Sequence, residues 1–288
     1  MPNYEEFSFE ERGLTFIRLF GEGSFVDICP ERGGIVTAFR ILSKDILYLN
    51  PDTLFDTAKN VRGGIPVLFP MAGQLPNKTY TLGNKSYHME NHGFARQRPW
   101  RIKGKNTDTS HAEVTLTLTS DEGTKETFPF DFEVVFTYNL SRGKLTIKQS
   151  YLNLSESSMP IYPGFHPYFN IKNKHLLINT NTSSYIDYND QKVKPFNGEI
   201  DLTNLPEAVV YSDDSDKIVT PFDKDTQLVI EKSKAFRYVM LWSEPGQDYV
   251  CIEPWTAKKN EYNEKKELIY VERDHPFEVE ISMSLERC

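Results

Sequence analysis

Between Glu113 and Ser120 apolar and polar residues alternate without a break, with Val114, Leu116 and Leu118 on one face and three threonines on the other. A period of two is what a strand with one buried face requires, and a chain that repeats it is committed to sheet. It recurs near the carboxyl end, where Phe277, Val279, Ile281, Met283 and Leu285 alternate with polar residues. Shorter β-prone runs cover Ile35 to Ile41, Asp45 to Leu49, Leu176 to Asn179, Ala208 to Tyr211, Gln227 to Glu231 and Tyr238 to Trp242. Tyr249 to Ile252 reads as a compact apolar strand ending on Glu253. Leu14 to Phe20 and Ser24 to Cys29 flank Gly21-Glu22-Gly23, and Phe132 to Leu140 and Lys144 to Leu154 flank Ser141-Arg142-Gly143, so each pair predicts a hairpin. No helical stripe is present, and only Asp52 to Lys59 offers a turn or two of helix. The pattern predicts an all-β sandwich or barrel.

With 288 residues the chain can bury a large core, and no shift of composition, repeat or low-complexity tract divides it, so residues 1–288 are read as a single domain. The stretch from Pro51 to Trp100 is a long connection rich in glycine, proline and polar residues. Its aromatic and apolar content predicts order, and loops of that kind are usually functional. Lys258 to Lys266 balances its lysines with acids and reads as a solvated loop.

Charge and cysteine content exclude several classes. The net charge is -8 and no basic run occurs, which argues against nucleic acid as a partner and for a small molecule. The three cysteines, Cys29, Cys251 and Cys288, are widely spaced and form no C-x-x-C pair, so neither a disulfide framework nor a zinc knuckle is expected. Gly21-Glu22-Gly23 lacks the third glycine and the helix of a dinucleotide loop. The start, Met1 to Glu6, is acidic without an apolar run, and no apolar stretch is long enough for a membrane span. A reducing cytoplasm is the expected location.

Chemistry concentrates in three places. Tyr162-Pro163-Gly164-Phe165-His166-Pro167-Tyr168-Phe169 sets one imidazole in an aromatic shell between two prolines that stiffen the backbone. The rings of Phe165, Tyr168 and Phe169 offer faces on which a sugar could stack. Glu253, behind four apolar residues and ahead of Pro254-Trp255, is a carboxylate whose burial would raise its pKa toward that of a general base. Arg62 and Arg96 adjoin glycine-rich turns and suit phosphate or carboxylate oxygens. His88 and His92 lie four apart, but in a glycine-flanked loop with the glutamate misplaced for a zinc motif, so no metal is expected.

Taken together, R-G-G-I-P-V-L-F-P from Arg62, N-H-G-F-A-R from Asn91, G-F-H-P-Y-F from Gly164 and C-I-E-P from Cys251 resemble the aldose 1-epimerases, the galactose mutarotase-like proteins, in both order and rough spacing. The resemblance implies a large antiparallel β-sandwich with few short helices. It implies anomer exchange of an aldohexose or hexose 6-phosphate without a cofactor: His166 as general acid, Glu253 as general base, His92 on the ring oxygens. Arg62 and Arg96 resemble the phosphate-binding arginines of the glucose-6-phosphate 1-epimerase branch, whereas Gly73 to Tyr80 and Trp255 resemble a bacterial branch that includes the LacX proteins. The family's sugar-binding aspartate has no clear counterpart, with Glu207, Asp213 and Asp214 the nearest acids. The alternatives are a non-catalytic carbohydrate-binding protein and, behind it, a glycoside hydrolase or lyase. For His166 to donate a proton, a neighbouring carboxylate must raise its pKa by more than the aromatic shell lowers it.

Overall fold

The alternation at 113–120 becomes the strand Ala112–Thr119, with Val114, Leu116 and Leu118 buried. In the computed structural model, which describes residues 4–288, this strand belongs to a seven-stranded antiparallel sheet. Its order is Lys217–Pro221, Thr226–Lys232, Phe277–Arg287, Lys144–Asn153, Phe132–Ser141, Ala112–Thr119, Arg101–Thr107. An eight-stranded sheet runs Lys192–Pro195, Ser184–Asp187, Val209–Ser212, Tyr238–Trp242, Val250–Trp255, Gly164–Phe165, Val67–Leu68, and Tyr168–Phe169 also pairs with Val250–Trp255. A five-stranded sheet contains Glu5–Glu11 and the hairpin Leu14–Gly21 with Ser24–Cys29. The second expected hairpin also forms, Phe132–Ser141 with Lys144–Asn153.

The inner faces of the two large sheets meet through aromatic rings. Phe136 and Phe165 have centroids 5.8 Å apart, and Tyr151 stacks on Phe69 at 5.6 Å. One connected set of buried apolar side chains reaches from Tyr4 to Met283, each large member stabilising the fold by about 1.5–3 kcal/mol relative to exposure. Three short helices fill corners: Pro51–Leu54, Glu122–Thr127 and Glu261–Glu264. Asp121 caps the second with a reciprocal bond to Thr124. Among the described residues no helix is long and apolar enough to cross a membrane.

Where the structure departs from the sequence pattern, edge strands and mixed-charge segments are the cause. Of the acidic start at Met1 to Glu6, residues 1–3 lie outside the described residues, and Glu5 and Glu6 open the edge strand Glu5–Glu11, which the sequence pattern did not mark and which pairs in full register with Leu14–Gly21. Arg101–Thr107 is exposed at every residue and is strand only because Ala112–Thr119 bonds its backbone. The helix expected over Asp52 to Lys59 stops at Leu54. The stretch Lys258 to Lys266 is not a plain solvated loop: it contains the helix Glu261–Glu264, and Tyr262 is buried, stacked on Tyr80 at 4.5 Å.

Candidate active site

Strand Val250–Trp255 is buried along its whole length because both of its faces are covered. Val250 and Ile252 face the inter-sheet core, while Cys251 and Trp255 belong to clusters on the opposite face, and period two puts Glu253 between them. The strand does not end at Glu253, as the sequence pattern predicts, but continues to Trp255 and leaves the carboxylate in mid-strand. On one side Met240 is its cross-strand partner. On the other, Gly164 pairs with Trp255 and Tyr168 with Cys251. These two pairings share one register, which, carried through the intervening residues, sets His166 opposite Glu253. Pro167 and Pro254 have no amide hydrogen to give the ladder there, and the His166 N–H bonds instead to the Pro66 carbonyl at 3.2 Å. His166 Nε2 and Glu253 Oε1 lie 3.4 Å apart.

These side chains form the floor of a cleft of about 300 Å³ on the outer face of the eight-stranded sheet, with walls that include Gln74, Asn91, His92, Trp242 and Trp255. The size is within the usual range for a small-ligand site. Tyr168 stacks on His166 at 4.8 Å, and Trp242 and His92 meet the imidazole edge-on at 5.8 and 5.4 Å. His92 holds a left-handed φ of 66°, and its Nδ1 accepts the Gly73 N–H at 2.9 Å. That bond fixes the tautomer of the neutral ring, leaving Nε2 to carry the hydrogen. Trp255 Nε1 donates to Glu253 Oε2 at 3.2 Å.

The remaining expected site residues divide. Arg62 lines the cleft half-exposed, its Nε 3.9 Å from Glu244 Oε2 and its guanidinium 5.6 Å from the Trp242 ring centre. Arg96 does not line it. Burial pushes its pKa down to about 10, Nη2 donates to the Asn91 carbonyl at 2.7 Å, and Nε is buried without a partner. Its charge acts on His92, His166 and Glu253 from behind. Tyr168 lies under His166, stacked on its ring, and does not itself line the cleft. Phe165 is not a sugar-stacking face: one residue from His166 on a strand means the opposite side of the sheet, and it packs in the core between Phe136 and Phe236. Gly164 admits no ligand either, because the Trp255 indole occupies the space where its Cβ would stand.

Burial decides the protonation of the central pair. It pushes Glu253 well above the usual carboxylate range, against the Trp255 bond and the Arg96 charge. It pulls His166 down to about 3, with the Arg96 charge adding to the effect. Burial thus favours the neutral form of both side chains, a protonated Glu253 beside an unprotonated His166, so desolvation works against the attraction between the pair, the reverse of what proton donation by His166 requires.

Donor atoms of His166, Cys251 and Glu253 lie within 4.8 Å of one another, but burial pushes the Cys251 thiol well above its ordinary pKa and keeps it protonated, and the Arg62 and Arg96 charges oppose a cation. His88 is exposed and bonded to Glu90, away from His92. Of the three acids weighed for sugar hydroxyls only Glu207 lines the cleft; Asp213 is buried beside Lys232 and Asp214 is on another surface. Lys259, Tyr188 and Met240 also line the cleft. Nothing in the sequence marks them, since each is brought there from an ordinary strand or a mixed-charge loop.

A β-sandwich with a histidine and a glutamate facing each other in a sugar-sized cleft defines a class, and the comparisons agree: the chain belongs to the aldose 1-epimerase family, whose model matches residues 17–282. Among its relatives are proteins provisionally named glucose-6-phosphate 1-epimerase. One from Salmonella typhimurium is 27% identical over 128 residues, 44% of this chain and 39% of the relative, and one from Cenchrus ciliaris is 26% identical over 238 residues, 78% and 66%. The bacterial match thus spans about two fifths of that relative's length. A solved structure from Synechocystis sp. PCC 6803 is 29% identical with a TM-score of 0.88, covering 98% of this chain and 96% of its own. A galactose mutarotase-like protein from Clostridium acetobutylicum shares the fold at 20% identity and TM-score 0.86, over 99% of both chains.

Proposed function

We propose that the protein exchanges the α and β anomers of an aldohexose or hexose 6-phosphate, with His166 and Glu253 as the acid–base pair. The observation that carries this reading is the 3.4 Å approach of two side chains remote in sequence on the floor of one cleft. Opening a pyranose requires the O1 proton to leave, C1=O1 to form, the C1–O5 bond to break and O5 to gain a proton. The pair holds the one proton needed. When sugar hydroxyls enter, they give the carboxylate the hydrogen bonds that burial denies it, and the proton moves to His166. Glu253 then takes the O1 proton while the imidazolium protonates O5. The result is neutral His166 beside protonated Glu253, the arrangement that burial of the pair favours, so that burial itself assists ring opening. Rotation about C1–C2 and reversal of the transfers gives the other anomer.

His92, with its hydrogen on Nε2, would donate to a ring or O1 oxygen, and Trp242 and Trp255 offer apolar faces to the sugar. Arg62 would meet a 6-phosphate at the mouth, with Arg96 adding positive potential from behind. The test is anomer exchange followed by polarimetry or NMR on free hexoses and their 6-phosphates. Acceleration by the parent that is lost in both His166→Asn and Glu253→Gln supports the assignment. Undiminished rates in folded variants reject it.

A further inference from the structure

The catalytic pair sits between two cations. Arg62 borders it on the Trp242 side. On the other side His166 meets His92, His92 meets Trp255 at 5.6 Å, and beyond Trp255 lies Lys259. The stem of Lys259 packs on Gly73, whose missing side chain makes the room: a Cβ there would stand 2.9 Å from that of Lys259 and from the Trp255 ring. The ammonium group lies 3.7 Å from the centre of the Tyr188 ring. It is partly desolvated, which lowers its pKa. Among the described residues it has neither a hydrogen-bond acceptor nor an ion-pair partner.

One acid lines the cleft within reach of that charge, Glu207, whose neighbour Pro206 accepts the Trp242 Nε1–H at 3.0 Å. The Glu207 backbone is pinned by Asn189, whose Oδ1 accepts the Glu207 N–H at 2.9 Å and whose Nδ2 donates to the Glu207 carbonyl at 3.0 Å. The carboxylate lines the cleft and its charge reaches Lys259, yet the two do not meet as an ion pair among the described residues. Two residues of opposite charge that line one cleft without pairing with each other offer a donor and an acceptor to two adjacent hydroxyl groups.

We infer that Lys259 and Glu207 bind the 2- and 3-hydroxyls of the sugar, Lys259 donating to one oxygen and Glu207 accepting from the other. The choice of hydroxyls follows from ring geometry and rests on the proposed function. With O5 and C1 at the pair and C6 directed to Arg62, C2 lies across the ring from C5, and the 2,3-diol points to the Trp255 end. The pair would therefore select configuration at C2 and C3, and leave C4 to other contacts.

The test compares the parent, Lys259→Met and Glu207→Gln on glucose or glucose 6-phosphate, whichever the parent turns over, and on the 2-deoxy and 3-deoxy analogues. Loss of one charged contact to a hydroxyl should raise KM about tenfold and leave kcat within about twofold. On the analogue lacking the hydroxyl in question, the same substitution should cost less than about threefold. Equal KM values for parent and variants, or a penalty of the same size on the deoxy sugars, would overturn the inference. If the parent accelerates no anomer exchange, it is the proposed function that fails. Calorimetric titration with the same sugars then decides the pair: binding about tenfold weaker in Lys259→Met supports the contact, and unchanged affinity removes it.

Discussion

His166 and Glu253 are cross-strand neighbours in a register whose bonded pairs are Gly164 with Trp255 and Tyr168 with Cys251. The ladder is open between them, so two ionisable groups 87 positions apart in sequence project from the same face of one sheet at the separation ordinary to directly opposed residues. The expected consequences can each be measured.

Glu253→Gln should lower kcat for anomer exchange by about a hundred to ten thousand fold. Because burial favours the neutral carboxyl group, the isosteric amide should leave the denaturation midpoint near that of the parent at neutral pH. A folded variant retaining parental kcat would remove Glu253 from the chemistry.

The pH profile follows from the inverted pair. A histidine of ordinary pKa near 6.5 would give kcat/KM an acid limb there. With His166 held down to about 3 by burial and Arg96, the one-proton state persists far below that value, and its alkaline limit is set by the raised Glu253. Rates measured after a brief jump from pH 7.5 to 5 should change less than about twofold. An acid limb with a midpoint near 6.5 would show the imidazole to be ordinary.

Stability should carry the same signature. A folded-state pKa depressed below the unfolded value contributes stability that is present above the unfolded pKa and is lost as pH falls through the folded one. Relative to His166→Asn, the parent should therefore lose stability as pH falls from 6.5 toward 3. Urea midpoints of both proteins across that range give the comparison, and parallel curves would contradict it.

Arg62 and Arg96 should behave differently. Arg62→Ala, at the half-exposed mouth, should reduce kcat/KM on a 6-phosphate by about tenfold to a hundredfold and affect the free sugar little. Arg96→Met, which alters the potential behind the whole pair, should change the rate on both substrates. Identical losses from Arg62→Ala on phosphorylated and free sugar would remove phosphate recognition from that residue.

Phe165→Ala should cost about 3–5 kcal/mol of stability through the cavity left between Phe136 and Phe236, with KM for sugar unchanged where the variant is folded. A selective rise in KM with unchanged stability would return Phe165 to the cleft.

The sequence by itself determined the all-β class and the hairpins, because a period of two and short glycine turns are local properties. It also marked His166, Glu253, His92 and Arg62, because each stands in a stiff or apolar setting that a polar group does not occupy without a partner. What only the tertiary structure decided was which face each side chain takes and how much water it keeps. Strand parity sent Phe165 to the core while His166 and Tyr168 went outward, and burial, a sum over the whole fold, raised the pKa of Glu253 and lowered that of His166. Lys259 belongs to a segment that reads as solvated and Glu207 was one of three acids the sequence could not tell apart, and they became cleft residues only when two distant loops closed over the same sheet. Charge in a loop carries no sign of what it will face, because that depends on contacts far apart in the chain.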